Sequence, residues 1–327
     1  MGSISPRKIP TINFSNKDLM PGTDCWNSVR AKIRQALEIY GCFEAEFDEI
    51  QLRQQMLGVI ELFFNLSKDI KIKYKSKDDV FNGYHGDIPY LPMYESLTFN
   101  DVLEHGKLQS FTNLMWPEGN STFCEILCSY LNQVIELEQM VMKMVLESFD
   151  VEPYNQSQVG STSYILQVMK YGVPRTNKTR LGLVPHQDKS FVTVLGQNDV
   201  HGLEIQAKDG EWICVKPSAS SFVVIIGDPF MKMYKLTVDN TILVSHQAWS
   251  NDRLHCPVHR VMMDGDITRY SMGLFSTIHG TIQTPEVMVD EEHPLLYKPF
   301  NHIEYRKFFQ TEEGGKAECP IKAFCGI

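Results

Sequence analysis

His186 and Asp188 stand two residues apart in Pro185-His186-Gln187-Asp188-Lys189-Ser190. On a β-strand, residues i and i+2 share a face, so this spacing sets an imidazole beside a carboxylate. One further imidazole completes a 2-His-1-carboxylate facial triad, the donor set that suits non-haem Fe(II) and leaves coordination positions open. His259, in Pro257-Val258-His259-Arg260-Val261, is the best-placed third ligand. An H-x-D pair by itself carries little weight, because most such pairs are loop residues or hydrogen-bonded histidines. Past His259, Arg269-Tyr270-Ser271 repeats the i, i+2 spacing with a guanidinium and a hydroxyl. The planar guanidinium fork donates two parallel hydrogen bonds to a carboxylate. An anchored acid beside an open iron site points to a keto acid that chelates the metal.

His255 competes for the third position. With His259 it makes H-x-x-x-H, which on a helix suggests zinc and a metallohydrolase. Pro257 and the run Val258-His259-Arg260-Val261-Met262-Met263 favour a strand, which weakens that reading. His85, His105, His201, His279, His293 and His302 read as structural or surface residues.

His186-x-Asp188, then His259, then Arg269-x-Ser271 resembles the signature of the plant 2-oxoglutarate- and Fe(II)-dependent dioxygenases. Gly41-Cys42-Phe43-Glu44-Ala45, Gly83-Tyr84-x-Gly86 with Met93-Tyr94-Glu95-Ser96, and Trp249-Ser250-Asn251-Asp252-Arg253-Leu254-His255 resemble one branch of it. That branch holds the glucosinolate side-chain alkenyl- and hydroxyalkyl-producing dioxygenases and their unassigned relatives. The similarity runs over nearly the whole chain. It selects His259 as the third ligand and leaves His255 as a turn residue or one that supports the ligands from behind. It implies Fe(II), O2 and 2-oxoglutarate as co-substrate, with ascorbate as a reductant. The keto acid would chelate iron through its 1-carboxylate and 2-keto oxygens, and its far carboxylate would meet Arg269, Ser271 and Tyr171. The family often has Asn-x-Tyr where this chain has Met169-Lys170-Tyr171, so Tyr171 alone is carried over. The implied reaction hydroxylates or desaturates a small plant metabolite and releases succinate and CO2. Glucosinolate side chains, auxin, gibberellin-like acids and alkaloids span the implied substrates.

The bulk properties agree. A chain of 327 residues, 43% hydrophobic and 22% charged, buries a large core. Lys+Arg 31 against Asp+Glu 40 gives a net charge of −9, which argues against nucleic acid or an anionic membrane as a partner. The eight cysteines are scattered without a C-x-x-C pair or secretory signal, as expected of reduced thiols in a cytoplasmic protein. The amino terminus lacks the Ser/Thr of a myristoylation signal, and no apolar run reaches membrane-spanning length. Monomer is the default expectation.

The elements that must position these residues follow in order. Ile9-Pro10-Thr11-Ile12-Asn13-Phe14 alternates as a first strand. Thr23 or Asp24 caps a helix with Trp26, Val29, Ile33, Leu37 and Tyr40 on one face, and Gly41 ends it. Cys42-Phe43-Glu44-Ala45 returns as a strand, and Leu52, Met56, Val59, Phe63 and Leu66 mark a second helix. Phe81 to Pro89 is rich in breakers and predicts an extended loop, which in the resembled family helps wall the substrate pocket. Thr122-x-x-Glu125 has capping-box form ahead of the longest helix, which runs to Phe149. From residue 161 short strands alternate with turns, as in a jelly roll.

The expected architecture is therefore α+β, with a double-stranded β-helix (jelly roll, cupin-like) core, supporting N-terminal helices and a C-terminal helix. Residues 1–120 form the N-terminal region, 121–160 the supporting helix, 161–285 the catalytic jelly roll and 286–327 a lid with a polar helix around His302 to Phe309. Asp188 and His259 lie farther apart than the resemblance implies, and the excess is localised. Removing residues 232–247 restores the family's usual wording. That stretch reads as an extra hairpin around Asp239-Asn240 or as an unspliced intron carried into the chain; it also contains His246. The alternative function is then a catalytically impaired or non-catalytic small-molecule-binding relative.

Overall fold

Thr23 and Gly41 bracket the first helix, one through its side-chain hydroxyl and the other through its backbone. The computed structural model describes residues 7–47, 50–76, 82–151, 162–174, 180–188, 190–227, 249–278, 281–301, 304–305, 308, 311–317 and 320–326. After β1 (Thr11–Asn13), the Thr23 hydroxyl accepts from the Trp26 N–H at 3.1 Å and caps α1 (Asp24–Ile39). Trp26, Val29, Ile33 and Leu37 are buried as the periodicity predicts, joined by Ala36; Tyr40 is the C-cap and only half-buried. Gly41 ends the helix at φ +69°, and a Cβ there would lie 2.1 Å from the His255 carbonyl oxygen. That close approach lets the segment leading to His259 run against the start of β2 (Cys42–Glu46). The His255 N–H also donates to the Leu37 carbonyl at 3.1 Å.

Next come α2 (Ile50–Phe64), α3 (Lys68–Lys71), β3 (Gly83–His85), β4 (Tyr94–Phe99) and α4 (Lys107–Met115). They precede the long α5 (Ser121–Ser148) and the strands β5 (Thr162–Tyr171), β6 (Arg180–His186), β7 (Val192–Gln197), β8 (Leu203–Gln206), β9 (Trp212–Cys214) and β10 (Ser221–Ile226). The chain continues with β11 (His259–Met263), β12 (Arg269–Ile278), β13 (Thr281–Ile282) and β14 (Phe300–Asn301). Two short helices, α6 (Glu312–Lys316) and α7 (Pro320–Cys325), close it.

Eight strands make one sheet in the order β1-β2-β10-β7-β12-β5-β4-β3, and four make a second in the order β6-β11-β8-β9. The larger sheet has two buried faces. Val192, Val194, Phe222, Val224, Leu166, Val168, Met272 and Leu274 alternate toward one face and join the core shared with α1, α2 and α5. Residues of opposite parity, Leu195, Val223, Ile225, Met169 and Tyr171, face the smaller sheet's Leu203, Ile205 and Val261. This is the expected jelly roll, with helices packed outside it.

Several expectations need correction. Phe81 to Pro89 is not all loop: Gly83–His85 pairs with Tyr94–Phe99, which in turn pairs with β5 and extends the large sheet. Breakers hid this, because the pairing is held from outside by Glu95. Its carboxylate accepts from Lys71 Nζ at 2.5 Å, Lys170 Nζ at 2.9 Å and Tyr84 Oη at 2.6 Å. The capping box is also displaced: Asn120 Oδ1 accepts from the Phe123 N–H at 3.0 Å, so Thr122 lies inside α5. In the tail, Glu304, Tyr305 and Phe308 are helical, in keeping with the expected helix around His302 to Phe309, and α6 and α7 follow; Tyr305 is buried against Phe300 and Phe324. Residues 232–247, with His246, lie outside the described residues, as do His279 and His302. Seven cysteines among the described residues form no disulfide, and no helix there is long and apolar enough to cross a membrane.

Glu138 is a buried acid on the sheet-facing side of α5, and it accepts from the Tyr164 hydroxyl at 3.0 Å. Burial pushes its carboxyl up to about 7, against the opposing pull of the Ser276 and Tyr164 hydroxyls. The folded chain thus holds Glu138 protonated at a pH where the unfolded chain ionises it. Its stabilising contribution is full below the ordinary value of 4.5 and is lost as pH rises through about 7. Glu138→Gln is expected to flatten that part of the pH dependence, measured as urea midpoints at intervals between these two values. Gly41→Ala is expected to destabilise the fold by at least about 2 kcal/mol, since it adds both a strained φ and a clash with His255; equilibrium unfolding checks this.

Candidate metal and co-substrate site

His186 ends β6 and His259 begins β11, and the two residues are directly paired across that antiparallel ladder. Their ring centroids lie 4.2 Å apart. Asp188 is two residues on, but β6 has already ended. The expectation of a shared strand face is thus corrected: the chain leaves the ladder, and the carboxylate turns in toward both rings. Asp188 Oδ1 sits 3.7 Å from His186 Nε2 and 3.4 Å from His259 Nε2. Among the described residues these three form the one group of His, Cys, Asp or Glu close enough to hold a metal ion, with ligand atoms within 4.8 Å of one another. His255 is not in the group.

Each imidazole is oriented by its other nitrogen. His186 Nδ1 lies 2.8 Å from the Val184 carbonyl and His259 Nδ1 3.4 Å from the Pro257 carbonyl. In the neutral ring a nitrogen facing a carbonyl carries the proton, which makes Nε2 the nitrogen available to a metal. Burial alone would push the Asp188 carboxyl up, but His259 and His186 overcome it and hold it at about 2. For His259, burial pulls the pKa down while Asp188 pulls it up more strongly. Asp188 Oδ2 is buried without a hydrogen-bond partner. A carboxylate oxygen without a hydrogen-bond partner and two imidazole nitrogens gathered beside it fit a divalent first-row metal.

Facing this group from the large sheet is a second polar cluster. Arg269 on β12 pairs with Tyr171 on β5, and Ser271 pairs with Met169 on one side and Gln197 on the other. Arg269 is 0% exposed, with Tyr171 and Ser271 at 1%. The guanidinium lies 4.9 Å from the centre of the Tyr171 ring. Arg269 Nη2 donates to Gln197 Oε1 at 2.7 Å and Nη1 to Ser271 Oγ at 3.4 Å, while Nε has no partner. Among the described residues no carboxylate pairs with Arg269, and burial draws its pKa down from the usual arginine value. A buried, unpaired charge costs several kcal/mol. The cluster therefore fits a ligand carboxylate.

Gly202 makes room for this arginine. A Cβ on it would come within 3.0 Å of both Arg269 Cδ and the Met262 carbonyl. Reasoning from motifs found Arg269, Ser271 and Tyr171 but missed Gln197, whose signal was a lone polar side chain ending the apolar run Val192-Thr193-Val194-Leu195-Gly196.

A jelly roll that sets a His-Asp-His group opposite a buried arginine defines a class of enzyme, and the chain belongs to the 2OG-Fe(II) oxygenase superfamily. The profile of that superfamily matches residues 163–278, and that of the non-haem dioxygenase in morphine synthesis N-terminal region matches 9–118. An Arabidopsis thaliana relative, probable 2-oxoglutarate-dependent dioxygenase AOP1, is 39% identical across 98% of this chain and 96% of its own. The Arabidopsis 2-oxoglutarate-dependent dioxygenase AOP3 is 27% identical across 100% of this chain and 99% of its own. The fold is shared with the rice dioxygenase for auxin oxidation at a TM-score of 0.77 and 24% identity, covering 98% of this chain and 100% of that one. These findings bear out the expected family, fold, reaction class and cofactors.

Removing the carboxylate should empty the metal group without unfolding the chain, since Asp188 lies beyond the β6 ladder. Asp188→Ala is expected to lose stoichiometric Fe(II) binding in anaerobic titration, with iron content read by elemental analysis and the unfolding midpoint little changed.

Proposed function

We propose that His186, Asp188 and His259 hold Fe(II), and that Arg269, Ser271 and Tyr171 hold the far carboxylate of 2-oxoglutarate. The observation that carries this reading is the fully buried Arg269 guanidinium, which has no acidic partner among the described residues and faces the metal group across one apolar interior. Bound Fe(II), 2-oxoglutarate and O2 supply the oxidation, in which succinate and CO2 are released and one oxygen atom goes to succinate.

The chain's own residues do four things. Val184 and Pro257 fix the two imidazoles as neutral Nε2 donors. Asp188 supplies the negative charge that a dication needs. Arg269, with the Ser271 and Tyr171 hydroxyls as donors, sets the distance and direction of the co-substrate. Leu195, Leu203, Ile205 and Val261 keep that interior apolar, which strengthens the charge pairing and limits water near the oxidant.

The substrate is proposed to be a small plant metabolite that is hydroxylated or desaturated, by extension from the AOP relatives. Auxin joins glucosinolate side chains in the first screening set because a structural neighbour is named for auxin oxidation. The reading extends to the cytoplasm, which the thiols left unbridged among the described residues support, with a monomer as the default. Residues 161–285 act as the catalytic jelly roll, with 121–160 as the supporting helix and 286–327 as the lid.

The test is an anaerobic titration of the chain with Fe(II) and 2-oxoglutarate, following the visible band of the chelate and then succinate release with O2. Saturation at one equivalent is expected. Absence of the band, restored when residues 232–247 are deleted, would favour the impaired relative; absence in both would sink the assignment. Arg269→Ala is expected to raise the 2-oxoglutarate concentration needed by on the order of 10- to 100-fold, the worth of a charge-assisted pair.

A further inference from the structure

Gln197 is bound to Arg269 at 2.7 Å and is itself 4% exposed. It sits at the end of β7, directly opposite Ser271 across the ladder. The next residue holds that strand end in place. Asn198 Nδ2 donates to the Thr268 carbonyl at 3.0 Å, and Asn198 Oδ1 accepts from the Tyr270 N–H at 3.1 Å. Gln197 thus has little freedom to drift from the guanidinium.

Two features of this contact matter. Gln197 is a neutral acceptor, so it orients the guanidinium without cancelling its charge. An acid of the same length would form a buried ion pair and leave an incoming carboxylate nothing to neutralise. The amide is also polarised in one direction: its oxygen is committed to Arg269, so its nitrogen can only donate. Among the described residues that nitrogen makes no hydrogen bond. Across the ladder the same row continues with Ser271 and then Met169, both uncharged.

We infer that Gln197 is a positioning residue that keeps Arg269 oriented and uncompensated, so that the site selects a keto acid with a second carboxylate over one without it. This rests on the proposed role of Arg269 as the co-substrate anchor. Gln197 adds a neutral orienting acceptor and an extra donor to the three residues named above.

The test titrates the full chain, loaded with Fe(II) and kept free of O2, with 2-oxoglutarate and separately with 2-oxopentanoate, which has a methyl group in place of the far carboxylate. The chelate band reports binding, and the shift in thermal midpoint reports it independently. Gln197→Glu is expected to weaken 2-oxoglutarate by about tenfold or more, to leave 2-oxopentanoate little changed, and to keep the unliganded midpoint at or above that of the unmodified chain. Gln197→Leu, which removes the acceptor without adding charge, should show a smaller loss that is again confined to the dicarboxylate. Equal losses for both keto acids, or undiminished 2-oxoglutarate binding in both variants, would overturn the inference. An unmodified chain that does not distinguish the two acids would overturn the role of Arg269 and the inference with it. In a chain where only Arg269→Ala abolishes the distinction, the anchor stands and the role of Gln197 falls.

Discussion

The antiparallel register of β5, β12 and β7 is the constraint on which the arginine half of the site depends. It sets Tyr171 opposite Arg269, and Met169, Ser271 and Gln197 in one row. A slip of one residue would turn every side chain of a strand to the other face. Arg269 would then enter the helix-side core, and Met272 and Leu274 would take the place of the polar cluster between the sheets. The apolar residues of opposite parity prevent that slip, because Leu166, Val168, Val192 and Val194 bury against the helices. Packing on the outer face thus fixes the chemistry on the inner one.

The metal group was legible because its chemistry restricts the choice of residues. Few combinations of donors hold a first-row metal and leave positions open, so two histidines and an aspartate stand out even when widely separated. Arg269-x-Ser271 was legible for the same reason. The periodicity that buries Trp26, Val29, Ile33 and Leu37 made α1 equally plain. Other features depend on tertiary partners. Glycines and a proline around Tyr84 mask a strand that exists because Lys71, Lys170 and Tyr84 converge on Glu95. Thr122 has the form of a cap, but Asn120 reaches the free N–H first. Gly41 shows as a helix terminator, whereas its accommodation of the His255 carbonyl becomes visible only when distant segments are brought together. Gln197 belongs with these, since glutamine alone announces no partner.

Charge placement divides the interior by function. Asp188 is compensated by the imidazoles from within the protein, and its carboxyl is held far down despite burial. Arg269 has no such compensation among the described residues and is held by neutral acceptors and the Tyr171 ring. The difference suits the role proposed for each. A metal-binding group benefits from an anion ready before the metal arrives, because the anion draws the cation in. A co-substrate anchor benefits from a charge left over, since a guanidinium already paired within the protein gains little from a second carboxylate.

The departure of Asp188 from β6 illustrates how a strand motif becomes a coordination motif. Side chains at i and i+2 of a regular strand point the same way, but run side by side about 6–7 Å apart at their origins. To converge on one ion, such side chains must bend toward each other. Ending the ladder at His186 frees the next two residues to turn, so that the Asp188 carboxylate reaches His186 and His259 from a third direction. His259 needs no such freedom, because its partner across the ladder is His186 itself. Two ligands are therefore placed by strand pairing and the third by the end of a strand. This combination makes H-x-D a short-range motif and the remaining histidine a distant one.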